Sequence, residues 1–358
     1  MNARKRQLWM VAGIILVLIL SACGSSTSGG SGSSSGSGKT ALKIMVGGLS
    51  KQIYLPNELT QRLGYFAAQG LDVTLIDEAS GQSSENEVLA GQVDAGSGSY
   101  NHTIELQAAG KNMEAVVLLN VAPGEAEIVS AKAASQIHSV SDLKGKNLGV
   151  TELGSGTQTL TTALLHKVGI TSDQVHFVPV GAGDTFIAAL QQGKIDAGMT
   201  TEPTISRIVS SGVGKVLVDL RSPQSTQAAL GGPYPFISLF MNNSYVSSHQ
   251  AVVQKLVNAY VKTLKWMHTH TAEQIADQMP ADYYAGNKAL YVTALQNQMA
   301  IFSPDGLMPT GAPQSVLSIE YQSNLVPKST QIDLSTTFTT SLPTRRAKPP
   351  AGPLGCWS

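Results

Sequence analysis

Four residues, Gly154, Ser155, Gly156 and Thr157, stand between a short apolar run (NLGVTE) and an amphipathic one (TQTLTTALLHKVG). That position is the first turn of a helix entered from a strand. Glycines there let the backbone approach a guest closely, and Ser155 and Thr157 add hydroxyls. The first-turn N–H groups have no intrahelical acceptors, so the four residues together can hold an anion. Simple N-capping by Ser155 uses the same residue types and stays open as a reading. The spacing is neither GxxxxGK nor GxGxxG, so a phosphate-bearing cofactor is not expected. No metal is expected either: His268 and His270, two apart in a helical stretch, point to different faces.

An equivalent set lies earlier in the chain. Gly48 and Ser50 follow the apolar run KIMV and would face a cleft mouth, with Gln52 next to them. Tyr54 either covers a guest or packs its own helix. Ser99, Tyr100 and Asn101 supply more neutral donors and an aromatic surface. Glu202, directly before Pro203, either caps a helix or receives an N–H from the guest. Lys51 and Arg221 read either as charge partners of the guest or as solvated surface residues, and His102 reads as a helix-surface residue. Trp266 falls on an apolar helical stripe, so an aromatic cage for a cation is poorly supported.

The elements that position these residues are written twice. GQVDAGSGSYN and GKIDAGMTTEP are near copies, and Val46, Val73 and Val93 match Val150, Phe177 and Ile195 at shifts of 104, 104 and 102 residues. Apolar runs alternate with amphipathic segments in both copies, which is the pattern of parallel strands covered by helices. AVVLLNVAPGEAEIVSA and YPFISLFMNN, apolar and extended, read as crossovers between two halves. The expected fold is therefore α/β and two-lobed. Each lobe would be a mostly parallel sheet flanked by helices, with SGSYN and MTTEP facing each other across a cleft at the carboxyl ends of strands. Val253, Leu256, Val257, Tyr260, Val261 and Leu264 recur at helical spacing as a core stripe. SSHQ from Ser247 and TAEQ from Thr271 fit capping boxes, and Gly169 fits a helix end.

The chain has 358 residues, with 24 basic and 24 acidic side chains. Arg4, Lys5 and Arg6 precede a 13-residue apolar run, Leu8 to Leu20, too short for a stable span and typical of a signal-peptide core. Removing the leader takes the charge from zero to about −3, which favours neither nucleic acid nor anionic lipid. The next 15 residues are only Gly, Ser and Thr, a flexible tether reaching roughly 20 Å. With Cys23 lipidated, Cys356 has no intrachain partner, so no disulfide framework is expected.

LSAC, which ends at Cys23, resembles a bacterial lipobox. That leader, GYFAAQGLDV, LAGQVDAG, SDLKGKNLGVTELGSGT, LQQGKIDAGMTTEP, GGPYP and FSPDGLMP together resemble the solute-binding proteins of ABC importers for nitrate, taurine, alkanesulfonates and thiamine pyrimidine precursors, over about residues 41–340. The resemblance implies a type II periplasmic-binding-protein fold. It also implies a monomer lipid-anchored outside the cytoplasm at Cys23, which closes on a small anion and delivers it to a permease with an ATPase. Ligand contacts would fall on Gly48 to Gln52, Ser99 to Asn101, Ser155 to Thr157, and Thr201 with Glu202. GGLSKQIY lacks the aromatic and proline pattern of the pyrimidine binders, which weakens that ligand choice. Helix N–H groups and hydroxyls make a small sulfonate-, taurine- or nitrate-like anion the expected guest, sulfonate-like before others. Pyrimidine-precursor binding, a synthase-like enzyme on the same fold and a ligand-presenting sensor are the alternatives. Expected boundaries are a signal peptide at 1–22, lipidated Cys and tether at 23–39, lobe 1 at 40–125 plus 222–340, lobe 2 at 126–221, and a disordered Pro-rich tail at 341–358.

Overall fold

The computed structural model describes residues 38–339 and 341–344. The leader, Cys23, nearly all of the tether and Cys356 lie outside the described residues. In the first sheet, β1 (Thr40–Val46) pairs in parallel with β2 (Leu71–Asp77) and β3 (Ala95–Ser99). β4 (Met113–Leu118) lies at the far edge. The second sheet holds β5 (Glu125–Ser130), β6 (Asn147–Val150), β7 (His176–Pro179), β8 (Ala197–Thr201) and β9 (Gly214–Asp219). β10 (Ile237–Asn242) returns to the first sheet. The strand orders are β2-β1-β3-β10-β4 and β7-β6-β8-β5-β9.

The two orders superpose element for element, which is the structural content of the duplication. In each sheet three parallel strands are followed by one antiparallel strand, β10 or β5. Those two strands are the ones that arrive from the other half. The chain enters each sheet from the opposite end, and its direction there is reversed for that reason. Both faces of each sheet are covered by packed apolar clusters, as buried parallel strands require.

The repeated Asp-Ala-Gly has the same job in both copies. The Asp94 carboxylate accepts the Lys43 N–H at 2.8 Å, and Asp196 accepts that of Asn147 at 2.9 Å, each tying down the entry to β1 or β6. Ala95 and Ala197 are fully buried. A Cβ on Gly96 would lie 2.4 Å from the Phe240 ring, and one on Gly198 2.5 Å from the Gly149 carbonyl oxygen, so neighbouring groups leave room only for glycine.

The first sheet is flanked by α1 (Leu55–Arg62), α2 (Tyr65–Ala68), α3 (Gly81–Leu89) and α4 (Asn101–Ala108). The second is flanked by α5 (Gly156–Lys167), α6 (Asp184–Gln192), α7 (Thr204–Ser210) and α8 (Pro223–Leu230). After β10 come α9 (Asn243–Ser248), α10 (Gln250–Met267), α11 (Ala272–Ala276), α12 (Lys288–Gln298), α13 (Ala312–Gln322) and α14 (Ser341–Thr344). No helix among the described residues is long and apolar enough to cross a membrane.

The α10 stripe is core: Val253, Leu256, Val257, Tyr260 and Leu264 are fully buried, with Val261 half-buried at its edge. Tyr260 meets Phe66 edge-on at 5.3 Å, and Thr263 bonds Thr60 at 2.7 Å, fixing α10 against α1 and α2. Thr271 forms its capping box with Gln274, and Gly169 takes φ 77° after α5. Ser247 does not cap α10. Its hydroxyl donates to the Ser244 carbonyl inside α9, and α10 starts after His249. At the expected start of the tail, Ser341–Thr344 is instead helical, with Leu342 buried and its carbonyl accepting from Gln254 at 2.8 Å.

Candidate functional site

The carboxyl ends of β1, β3, β6 and β8 converge on one chamber, where ligands of open α/β sheets bind. Lys51 and Tyr54 enter from the segment after β1, Ser80 and Gly81 from the start of α3, and Ser99 from the end of β3. Thr151, Ser155, Gly156 and Thr157 enter from the segment after β6, and Thr201 from the end of β8. The two crossovers supply Glu125 and Phe236. The lining leaves a central space of about 10 Å³, room for about one water. Gln52 N donates to the Glu202 carbonyl at 3.0 Å, joining the segment after β1 to the segment after β8.

The N-terminus of α5 is knitted by its own hydroxyls. Ser155 Oγ donates to the Glu152 carbonyl at 2.6 Å, Thr157 Oγ1 accepts the Thr151 N–H at 2.9 Å, and the two hydroxyls are 2.7 Å apart. Ser155 is the N-cap residue, but its side chain caps no amide. Gly156 permits close approach, here to protein atoms: a Cβ would stand 2.3 Å from Ser99 Oγ and 2.6 Å from the Phe236 ring.

Lys51 is a correction to the sequence reading. It is not on the solvated surface: its Nζ donates to the carbonyls of Gly47 and Ala79, each at 2.7 Å. Burial pulls its pKa down to about 8, against the opposing pull of Glu125, Asp77 and Glu152. Its side chain separates the chamber from an outer vestibule of about 280 Å³, which Gly48 and Ser50 line together with Tyr283 and Arg207. Glu125 escaped the sequence reading because it sits in a run taken as a plain crossover. It is fully buried, burial pushes its carboxyl up to about 8, and Lys51 draws it back. Its Oε2 has no hydrogen-bond partner.

Several expected site residues turn elsewhere. Gln52 is buried with its amide donating to the Tyr291 carbonyl at 2.8 Å and accepting from Gln298 at 2.7 Å. Tyr100 is fully buried and bonds Thr337 at 2.7 Å, while Asn101 donates to Glu105 at 2.8 Å. Both stand at the right sequence position with side chains pointing into the core. Glu202 accepts from Ser206 N at 2.9 Å and from Arg221 at 2.7 Å, the helix-capping alternative with an ion pair added. Arg221 is held by Glu202 and Asp219 and is not simply solvated. His102 is not a helix-surface residue. It is fully buried 3.2 Å from Glu85 without hydrogen-bond geometry, and desolvation pulls it down to about 4 and pushes Glu85 up to about 8. Tyr54 lines the chamber, and its ring centroid lies 5.9 Å from the Lys51 Nζ.

Comparison with known proteins gives these residues a context. A solved structure from Bordetella bronchiseptica RB50 is 33% identical, covers 85% of this chain and 96% of that one, and superposes with a TM-score of 0.81. The alkanesulfonate-binding protein SsuA of Xanthomonas axonopodis pv. citri, 20% identical over 81% of this chain and 95% of that one, shares the fold at 0.60. The Bacillus subtilis (strain 168) protein YtlA, named as a candidate binding protein, is 20% identical over 89% of this chain and 91% of its own length. A shorter match, 26% over 42% of each chain, reaches the Saccharomyces cerevisiae pyrimidine phosphate synthase THI13. The sequence profile described as "NMT1/THI5 like" matches residues 56–274, and with it the chain belongs to the NMT1/THI5-like family.

Proposed function

We propose that the protein is the extracytoplasmic solute-binding subunit of an ABC importer, lipid-anchored through Cys23, acting as a monomer that captures a small anion and delivers it to a permease and ATPase. The single observation that carries this is the chamber: both halves wall it at strand carboxyl ends, and it contains one half-buried ammonium and the start of α5. Two of the three Lys51 protons are engaged by backbone carbonyls, which leaves one for a guest. With both pKa values at about 8, Lys51 is mainly charged and Glu125 mainly neutral at pH 7, so the pair is net positive. Glu125 then offers an O–H donor rather than a repelling charge. The guest's oxygens would be met by Lys51, the Glu125 hydroxyl and the first-turn amides of α5.

Magnitudes agree with capture. Three charge-assisted hydrogen bonds at about 1.5 to 3 kcal/mol each gross roughly 5 to 9 kcal/mol. Micromolar affinity needs about −8 kcal/mol after ordering costs, so closure around the guest must contribute burial as well. A sulfonate-like guest fits hydroxyls, amides and one ammonium better than a cation or a large apolar molecule would. The synthase-like alternative draws on the short THI13 match and on Lys51, whose lowered pKa would suit a base or nucleophile, but no His or Cys lines the chamber beside it. Calorimetry with methanesulfonate, taurine, nitrate and an aminopyrimidine tests the reading. Micromolar binding of the sulfonates supports it, binding of cationic or large apolar compounds alone defeats it, and product formation from the pyrimidine would favour the enzyme.

A further inference from the structure

We infer that Glu152 is a positioning residue for closure: its carboxylate, carried just beyond β6, docks on the first turn of α3 and clasps the chamber shut. Glu152 Oε2 accepts hydrogen bonds from the hydroxyls of Ser80 and Ser83, the latter at 2.8 Å. Ser80 is the N-cap of α3, and its Oγ also accepts the Ser83 N–H at 3.3 Å. A carboxylate at that point meets the positive end of the helix, so the clasp is charge-assisted as well as hydrogen-bonded. Its two sides belong to different sheets: α3 packs on β1 and β3, and Glu152 follows β6.

The clasp lies on the rim of the chamber. Ser80 and Gly81 line it from one side, Thr151 and Ser155 from the other, and Glu152 joins these two walls. Opening the halves would break both hydroxyl bonds and return the carboxylate to water. Closure therefore has a contribution of its own, independent of the guest, that shifts the population toward the shut form. The same bond assigns work to the two helix N-termini. That of α3 is met by the protein's own carboxylate, which leaves that of α5 to the guest. The inference rests on the proposed capture by cleft closure.

Neither Glu152 nor Ser83 lines the chamber, so substituting them removes no contact with a guest. The full chain in detergent is compared with Glu152→Ala, Glu152→Gln and Ser83→Ala by hydrogen–deuterium exchange over residues 78–84 and 151–158, and by stopped-flow binding of methanesulfonate. Glu152→Ala and Ser83→Ala are expected to speed exchange in both segments and raise the dissociation rate about tenfold, with association changed less than about twofold. Glu152→Gln, which keeps an acceptor without the charge, falls between. Unchanged exchange and dissociation in both Glu152→Ala and Ser83→Ala overturn the clasp. A wild-type chain that binds no methanesulfonate counts against the sulfonate reading alone, because exchange in the unliganded chain still decides the clasp.

Discussion

Lys51 and Glu125 face the same chamber, and burial moves them toward each other from opposite sides, the ammonium pulled down to about 8 and the carboxyl pushed up to about 8. Below that pH the pair carries one positive charge. Above it both protons are gone and the pair carries one negative charge. Anion affinity should therefore stay level up to about pH 7 and fall at least about tenfold by about pH 9, read as the calorimetric Kd of methanesulfonate. Glu125→Gln should keep binding and make the fall shallower. A flat profile in the wild-type chain would remove this pair from recognition.

Stability should move the same way for a related reason. Glu85, Glu125 and Glu127 all have folded-state values raised from 4.5 to about 8 by burial. The folded chain holds protons that the unfolded chain releases, so this contribution is complete below the ordinary carboxyl range and is lost as pH climbs to about 8. His102, lowered to about 4, acts oppositely but only below its usual value of 6.5. Lys51 adds stability only above about 8. Between pH 6.5 and 8 the glutamates are left unopposed by these two, and the melting temperature should fall across that window. Glu85→Gln should flatten the slope, and a melting temperature rising across the window would contradict these assignments.

Lys51→Met keeps the length of the partition between chamber and vestibule but removes its charge and donors. Loss of one charge-assisted bond of about 1.5 to 3 kcal/mol predicts a Kd raised roughly ten- to a hundredfold. Because burying the ammonium is itself costly, the melting temperature should hold or rise. A variant that binds as tightly as wild type would place the anion elsewhere.

Tyr100→Phe separates packing from recognition. The hydroxyl bonds Thr337 in a fully buried setting, away from the chamber lining, so its removal should cost about 1 to 3 kcal/mol of stability from chemical denaturation. The methanesulfonate Kd should stay unchanged. A weakened Kd would return Tyr100 to the site.

The duplication, the sheet class and the α10 core were legible because period and repeat are properties of the chain. Gly156, Ser155, Thr157 and Ser99 were legible as positions lining the chamber, since a glycine–hydroxyl turn between strand and helix marks the start of a helix at a strand's carboxyl end. Side-chain direction was not. Tyr100 and Asn101 occupy the expected loop but open α4, whose geometry turns them inward. Lys51 looked solvated because a lone lysine in a polar loop usually is. Only the carbonyls of Gly47 and Ala79, 32 residues apart, give it a half-buried seat. Glu125 became a chamber residue only once two crossovers, distant in sequence, lay side by side.

Gly156→Ala offers a test in which fold and closure respond in opposite senses. At the first position of α5 the Gly-to-Ala gain is less than the ~1 kcal/mol of a helix interior, but alanine also narrows the unfolded ensemble, so the helix itself should gain slightly. The new methyl would stand 2.3 Å from Ser99 Oγ and 2.6 Å from the Phe236 ring, distances that real contacts do not reach. Ser99 is buried at the end of β3 with little room to turn, so the halves must stay apart by the width of the clash. The expected outcome is a melting temperature at or above wild type with a methanesulfonate Kd raised at least about tenfold, because the walls no longer meet around the guest. Adding Ser99→Gly removes one of the two clashing groups and should recover part of the affinity. Phe236 still obstructs, so recovery should be incomplete. Wild-type affinity in Gly156→Ala alone would mean that closure does not require this contact.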